Sequence, residues 1–157
     1  MWNPFRRRQL GPADLSDNLR AIIARSREEA IRLDNDFVHP VHLLLAVLAD
    51  ESSSLYRVLQ ATGTELAALR RDLENSLKGR RTTQRGVTVR GSLPLTTELE
   101  DALRRAFRLS FALGARQVEA AHLALGMLEA PESSGAGVLR GLGIEAADLA
   151  GAASAGS

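Results

Sequence analysis

Val38-His39-Pro40-Val41-His42-Leu43-Leu44-Leu45-Ala46-Val47-Leu48 is the stretch whose reading decides the fold. Pro40 suits the first turn of a helix, where a missing N–H costs nothing. From Leu43 to Leu48 the run is apolar nearly all round, so the helix belongs at the centre of a packed unit rather than on a surface. At an offset of 80 residues the same register returns as Val118-Glu119-Ala120-Ala121-His122-Leu123-Ala124-Leu125-Gly126-Met127-Leu128. The match extends outward without a gap. Leu15, Leu19, Arg25 and Leu33 fall on Leu95, Leu99, Arg105 and Leu113; Ser53, Ser54, Val58, Leu59 and Gly63 fall on Ser133, Ser134, Val138, Leu139 and Gly143. With Glu65, Ala67 and Leu69 on Glu145, Ala147 and Leu149, about 17 of some 55 positions are identical. The chain is a tandem duplication.

Each copy reads as four helices. Leu15, Leu19, Ile22, Ile23, Ala30 and Leu33 recur at three- and four-residue steps, as do Leu95, Leu99, Leu103, Ala106, Ser110 and Leu113, which predicts a long amphipathic first helix. Asp17, Arg20, Arg27, Glu28 and Arg32 fall on its opposite face, and Glu28 and Glu29 read as part of a solvated, ion-paired surface. Thr97 with Glu100 suggests a capping box, and Gly114 a stop. The central helix follows, over about 40–50 and 119–130. Ser52-Ser53-Ser54 and Ser133-Ser134 then look like caps of a short third helix ended by Gly63 or Gly143. Leu66, Leu69, Leu73 and Leu77 line a fourth helix, whose counterpart dissolves into Ala-Gly-Ala-Ala-Ser-Ala-Gly-Ser and is expected to fray. The predicted architecture is all-α: two four-helix repeats about a pseudo-two-fold in a single compact domain. Residues 1–13 form a basic arm, 14–78 the first repeat, 79–94 an Arg-rich linker, 95–150 the second repeat and 151–157 a flexible tail.

Composition removes whole classes of chemistry. The 157 residues contain no Cys, which excludes disulfides, thiol catalysis and cysteine-ligated metals. Of the 20 basic residues only Lys78 is a lysine, and Leu77-Lys78-Gly79-Arg80 is no phosphate-binding loop. With three histidines, no nucleophile–base pair and no cofactor fingerprint, neither an enzyme, a metal centre nor a cofactor is expected. The apolar run from Val41 to Ala49, interrupted by His42, is far too short for a bilayer span, and no signal peptide is visible. A soluble cytoplasmic protein with no membrane partner is the expectation.

Several stretches resemble the Clp repeat, the N-terminal domain of the Clp/Hsp100 unfoldases. They are Arg25-Ser26-Arg27-Glu28-Glu29-Ala30-Ile31-Arg32-Leu33, then Val38 to Leu48, then Val58-Leu59-Gln60-Ala61-Thr62-Gly63. In the second copy they are Ala112-Leu113-Gly114, His122 to Leu128 and Val138-Leu139-Arg140-Gly141-Leu142-Gly143. The resemblance covers roughly 14–149. It implies a non-catalytic binding module of protein quality control. Its partners would be substrate polypeptides, adaptor proteins, or a Clp ATPase or Clp peptidase supplied by another chain.

Within that family, ClpC-like domains open each second helix with Gly-Thr-Glu-His, whose glutamates bind phosphorylated arginine. Here Val41 and Ala121 stand at the glutamate positions, so recognition of that kind is not expected. The expected partner-binding residues are the openings of the two second helices: His39, Pro40, Val41 and His42, with Glu119, Ala120, Ala121 and His122. Helix N-termini there would present N–H groups and partial positive charge to an acidic ligand. For His42 and His122 the alternative is a structural role, with each ring hydrogen-bonded to nearby backbone.

The alternative function is an Arg-rich nucleic-acid-binding accessory using Arg80, Arg81 and Arg85 as an anionic-ligand surface. A net charge of +1 and the absence of aromatics among those arginines speak against it.

Overall fold

In the computed structural model the described residues are 14–78 and 93–155. They form eight helices: α1 (Asp17–Arg32), α2 (Pro40–Leu48), α3 (Ser54–Ala61), α4 (Leu66–Leu77), α5 (Thr97–Ala112), α6 (Ala120–Leu128), α7 (Ser134–Gly141) and α8 (Ala146–Ala155). No strand is present among them, and every helix of the second copy repeats the order of the first. The basic arm, most of the Arg-rich linker and the last two residues lie outside the described set.

The two apolar helices are the buried centres. In α2 every residue from Pro40 to Val47 is buried, and in α6 every residue from Ala120 to Met127. Helix α2 lies against α1, α3 and α4 of its own copy and α7 of the other; α6 lies against α5, α7 and α8, and against α1 and α3. One continuous core therefore serves both copies.

Four backbone hydrogen bonds join the copies reciprocally. Val38 N–H donates to Pro94 C=O at 2.9 Å, and Thr96 N–H donates back to Val38 C=O at 3.0 Å. The same exchange occurs with partners reversed: Val118 N–H to Asp14 C=O at 2.9 Å and Ser16 N–H to Val118 C=O at 3.0 Å. These are short parallel pairings of Val38 with Leu95 and Leu15 with Val118. All four positions map onto one another at the 80-residue offset, which is the pseudo-two-fold expressed in backbone bonds.

Helix ends follow local chemistry. Ser16 and Thr96 cap α1 and α5, accepting from the N–H groups of Leu19 and Leu99 at 3.0 and 3.2 Å. The cap of α5 is thus Thr96, not the capping box expected at Thr97, because Thr96 is the residue still held extended by Val38. Ser53 and Ser133 cap α3 and α7. Gly63 and Gly143 end those helices with φ of 78°, a left-handed conformation that favours glycine.

Two sequence expectations change. Helix α8 does not fray after residue 150 but continues to Ala155, since Leu149 and Ala153 are buried against α6 and α3. Glu29 is not on a solvated face. It is buried, with Arg32 of α1 at 2.6 Å and Arg70 of α4 at 2.9 Å. Glu74 completes the square, 2.7 Å from Arg32 and 3.1 Å from Arg70.

Copy two packs its helix pair more closely. Gly126 replaces Ala46, and a Cβ there would lie 2.5 Å from Ala102 C=O on α5. Gly137, on the exposed side of α7, faces open space. Gly126→Ala is expected to cost about 1–3 kcal/mol by forcing the helices apart, whereas Gly137→Ala adds about 0.5–1 kcal/mol by favouring the helix. Urea unfolding of both variants beside the parent checks the pair; equal shifts would contradict the close approach.

Candidate functional site: the second-helix openings and the groove between the copies

At the opening of α2 the chain makes a closed polar relay. His39 N–H donates to His42 Nδ1 at 2.8 Å, so the ring proton sits on Nε2, which donates to Asn35 Oδ1 at 2.7 Å. Asn35 Nδ2 in turn donates to Leu77 C=O at 2.7 Å, at the carboxyl end of α4. The imidazole three residues past the cap takes the place a glutamate fills in a capping box. Burial pushes the His42 pKa down to about 4, assisted by the neighbouring His39 and opposed by Glu29. His42 is therefore neutral near pH 7 and wholly buried.

The opening of α6 starts the same relay and does not finish it. Glu119 N–H donates to His122 Nδ1 at 2.9 Å, and burial lowers the His122 pKa as well. The counterpart of Asn35 is Ala115, which has no side-chain acceptor.

The expected partner-binding residues are mostly inaccessible. Pro40, Val41, His42, Ala120, Ala121 and His122 are buried; His39 and Glu119 are half-buried. The cause is the other copy: a Cβ on Gly135 at the start of α7 would lie 3.1 Å from Pro40 Cβ. Each opening is covered by the third helix across the pseudo-two-fold, as α2–α7 and α3–α6 contacts require. One N–H at each opening is already taken, that of His39 by His42 Nδ1 and that of Glu119 by His122 Nδ1. Arg80, Arg81 and Arg85 lie outside the described residues.

Four arginines within them are engaged: Arg32 and Arg70 with Glu29 and Glu74, Arg108 with Glu129 at 2.6 Å, and Arg105 Nε with Gly126 C=O at 2.8 Å. Burial pushes the Glu29 carboxyl up, but the hydrogen bonds and charges of Arg32 and Arg70 outweigh it and hold it below the usual range. No three His, Asp or Glu side chains gather as a metal site among the described residues, and no helix there is long and apolar enough to cross a membrane.

A feature that sequence periodicity did not reveal lies where the copies meet. Helix α3 and the start of α8 enclose a groove of about 580 Å³. Val58, Ala61, Leu142 and Ile144 make its apolar walls, and Arg57 and Asp148 stand at its polar edge. The partial exposure of Val58 and Leu142, both quoted from the sequence only within stretches that resemble the Clp repeat, is the signal.

The model of the Clp repeat (R) N-terminal domain matches residues 14–110 and 94–155, which together span both copies. The chain belongs to this family. A curated relative is the chaperone protein ClpB of Oceanobacillus iheyensis, 25% identical over 130 residues, covering 82% of this chain and 15% of that protein. Among solved structures, the ClpD N-terminal domain of Arabidopsis thaliana matches with a TM-score of 0.70 at 20% identity, covering 93% of this chain and 97% of the other. A complex of the ClpV N-domain with VipB peptide matches with a TM-score of 0.70 at 18% identity, covering 95% and 91%. At those identities the structures establish the shared Clp repeat fold.

His42 and His122 set a pH dependence. Their folded pKa values lie below the unfolded value of 6.5, so the stability that rests on neutral rings is full above that pH. It declines as pH falls below 6.5, for His42 until about 4, because the unfolded chain takes up protons that the folded chain refuses, at up to about 1.4 kcal/mol per pH unit for each ring. Urea unfolding at pH 7, 6 and 5 is expected to show this slope, and His42→Gln to flatten it. A parent slope of zero across that range would contradict buried neutral imidazoles.

Proposed function

We propose that this Clp repeat domain is a non-catalytic binding module that receives an extended polypeptide segment in the groove between α3 and α8. The observation that carries the reading is the groove itself. Its apolar walls suit the side chains of an unfolded segment, and Arg57 and Asp148 offer one partner of each sign to a peptide's polar groups. Its volume of about 580 Å³ falls within the range of about 300–1,000 Å³ typical of ligand sites. The lining comes from both copies, so the duplication supplies a reason for the site: neither repeat alone has both walls.

Family membership supports this reading, as does the ClpV N-domain's complex with VipB peptide. The partners would be substrate polypeptides or adaptor proteins delivered to a Clp ATPase or Clp peptidase, in the cytoplasm.

The test is direct. Overlapping segments of an unfolded model protein are arrayed, and the best binder is labelled for fluorescence anisotropy against the purified chain. Ala61→Trp, at an exposed position on the groove wall, is expected to weaken binding several-fold while leaving the helical circular dichroism unchanged. Unaltered affinity in that variant, or no segment bound at all, would overturn the assignment of the groove.

A further inference from the structure

The two copies differ most where α8 takes the place of α4. In copy one Asn35 fills the space beside His42, Leu73 of α4 is buried, and Glu74 of α4 is ion-paired with Arg32. At the 80-residue offset those three residues become Ala115, Ala153 and Ser154. All three side chains are shorter, and a cavity of about 380 Å³ stands in their place. Leu33 and Leu113 record the same loss: the first is 6% exposed, the second 54%.

The cavity holds a polar group without a protein partner. His122 lines it and is 1% exposed, with Nδ1 committed to the Glu119 N–H. The ring proton therefore sits on Nε2, for which no protein acceptor exists among the described residues. That nitrogen faces the cavity, so an acceptor that enters there can take its proton in a hydrogen bond. At the mouth stands Arg116, where the first copy has Asp36; the charge is reversed. No acid lines the cavity, and Arg116 makes no ion pair with a described residue. The remaining wall is apolar, from Leu113, Ala115 and Ala153.

We infer that this cavity is a second binding site, specific to the second repeat, for a carboxylate carried next to an alkyl group. The carboxylate would accept from His122 Nε2–H and meet the Arg116 guanidinium, a charge-assisted pairing. The alkyl group would lie along Leu113, Ala115 and Ala153. A peptide offers this chemistry either at a C-terminal aliphatic residue or at an acidic side chain beside one. The inference rests on the reading of the domain as a polypeptide-binding module and adds a subsite that shares no lining residue with the α3–α8 groove.

The test uses the whole chain and small probes of defined chemistry. Side-chain NMR of His122 is followed during titration with N-acetyl-leucine and, separately, with N-acetyl-leucinamide, which lacks the carboxylate. A saturable shift of His122 with the acid, none with the amide, and an unmoved His42 ring are expected. N-acetyl-leucyl-aspartyl amide then reports whether a side-chain carboxylate serves as well as a terminal one. Ala115→Asn rebuilds the plug of the first copy and Ala153→Leu refills the space; each is expected to weaken the acid at least about tenfold, the cost of a lost charged hydrogen bond. Arg116→Glu should abolish its binding. Equal shifts from acid and amide, no saturable shift, or undiminished affinity in both filling variants would overturn the inference. Peptide binding lost on Ala61→Trp but kept on Ala115→Asn would leave the groove assignment standing by itself, so the two failures are distinguishable.

Discussion

Each repeat completes the other's backbone. The N–H of a cap residue lies outside its own helix and must find an acceptor elsewhere. Ser16 and Thr96 find theirs on Val118 and Val38 of the opposite copy. Those two valines stand one residue before the caps of α6 and α2 and are fully buried. Four hydrogen bonds therefore position the long helices against the openings of the central ones, and the central helices carry the core. The covered state of Pro40, His42, Ala120 and His122 follows from this clasp, as does the meeting of α3 with α8 that makes the groove.

Within that shared frame the copies have diverged by compensation. Glu29, Arg32, Arg70 and Glu74 tie α1 to α4 with a partly buried charge square, while their counterparts Leu109, Ala112, Ala150 and Ser154 carry no charge. Removing one member of the square would leave a charge in poorly solvated surroundings, whereas exchanging all four leaves none. The same logic links Val47 and Leu55 to Met127 and Gly135. A Cβ on Gly135 would lie 2.7 Å from the Met127 sulfur, so the longer Met127 side chain occupies space that opens when the third helix carries glycine. One exchange was not completed: Ala115, Ala153 and Ser154 together leave empty the volume beside His122.

Most of the architecture was legible in the chain. The repeat offset, the uninterrupted apolar run from Leu43 to Leu48 and the glycines at Gly63 and Gly143 encode helix number, order and ends through local chemistry. Legibility stopped where a contact joined distant residues. Glu29 reads as one more charge on a polar face until Arg70, from another helix, reaches it. Helix α8 reads as a fraying tail because alanine and glycine show no periodicity, yet Leu149 and Ala153 have a buried surface waiting for them. The second-helix openings look accessible because helix starts often are; a third helix from the other repeat covers them.

The chain alone therefore specified two all-α Clp repeats with buried central helices, and its lack of cysteine and of a phosphate-loop lysine excluded whole classes of chemistry. These properties depend on residue type and on spacing along one helix, both of which are local. Only tertiary structure decided which histidine has a partner, which leucine is covered and where a groove opens. Each of those depends on residues brought together from separate segments: Asn35 and Leu77 around His42, Ala115 and Ala153 around His122, Val58 and Leu142 across the junction. A missing side chain leaves its mark on whatever folds against it, and sequence order does not say what that neighbour is.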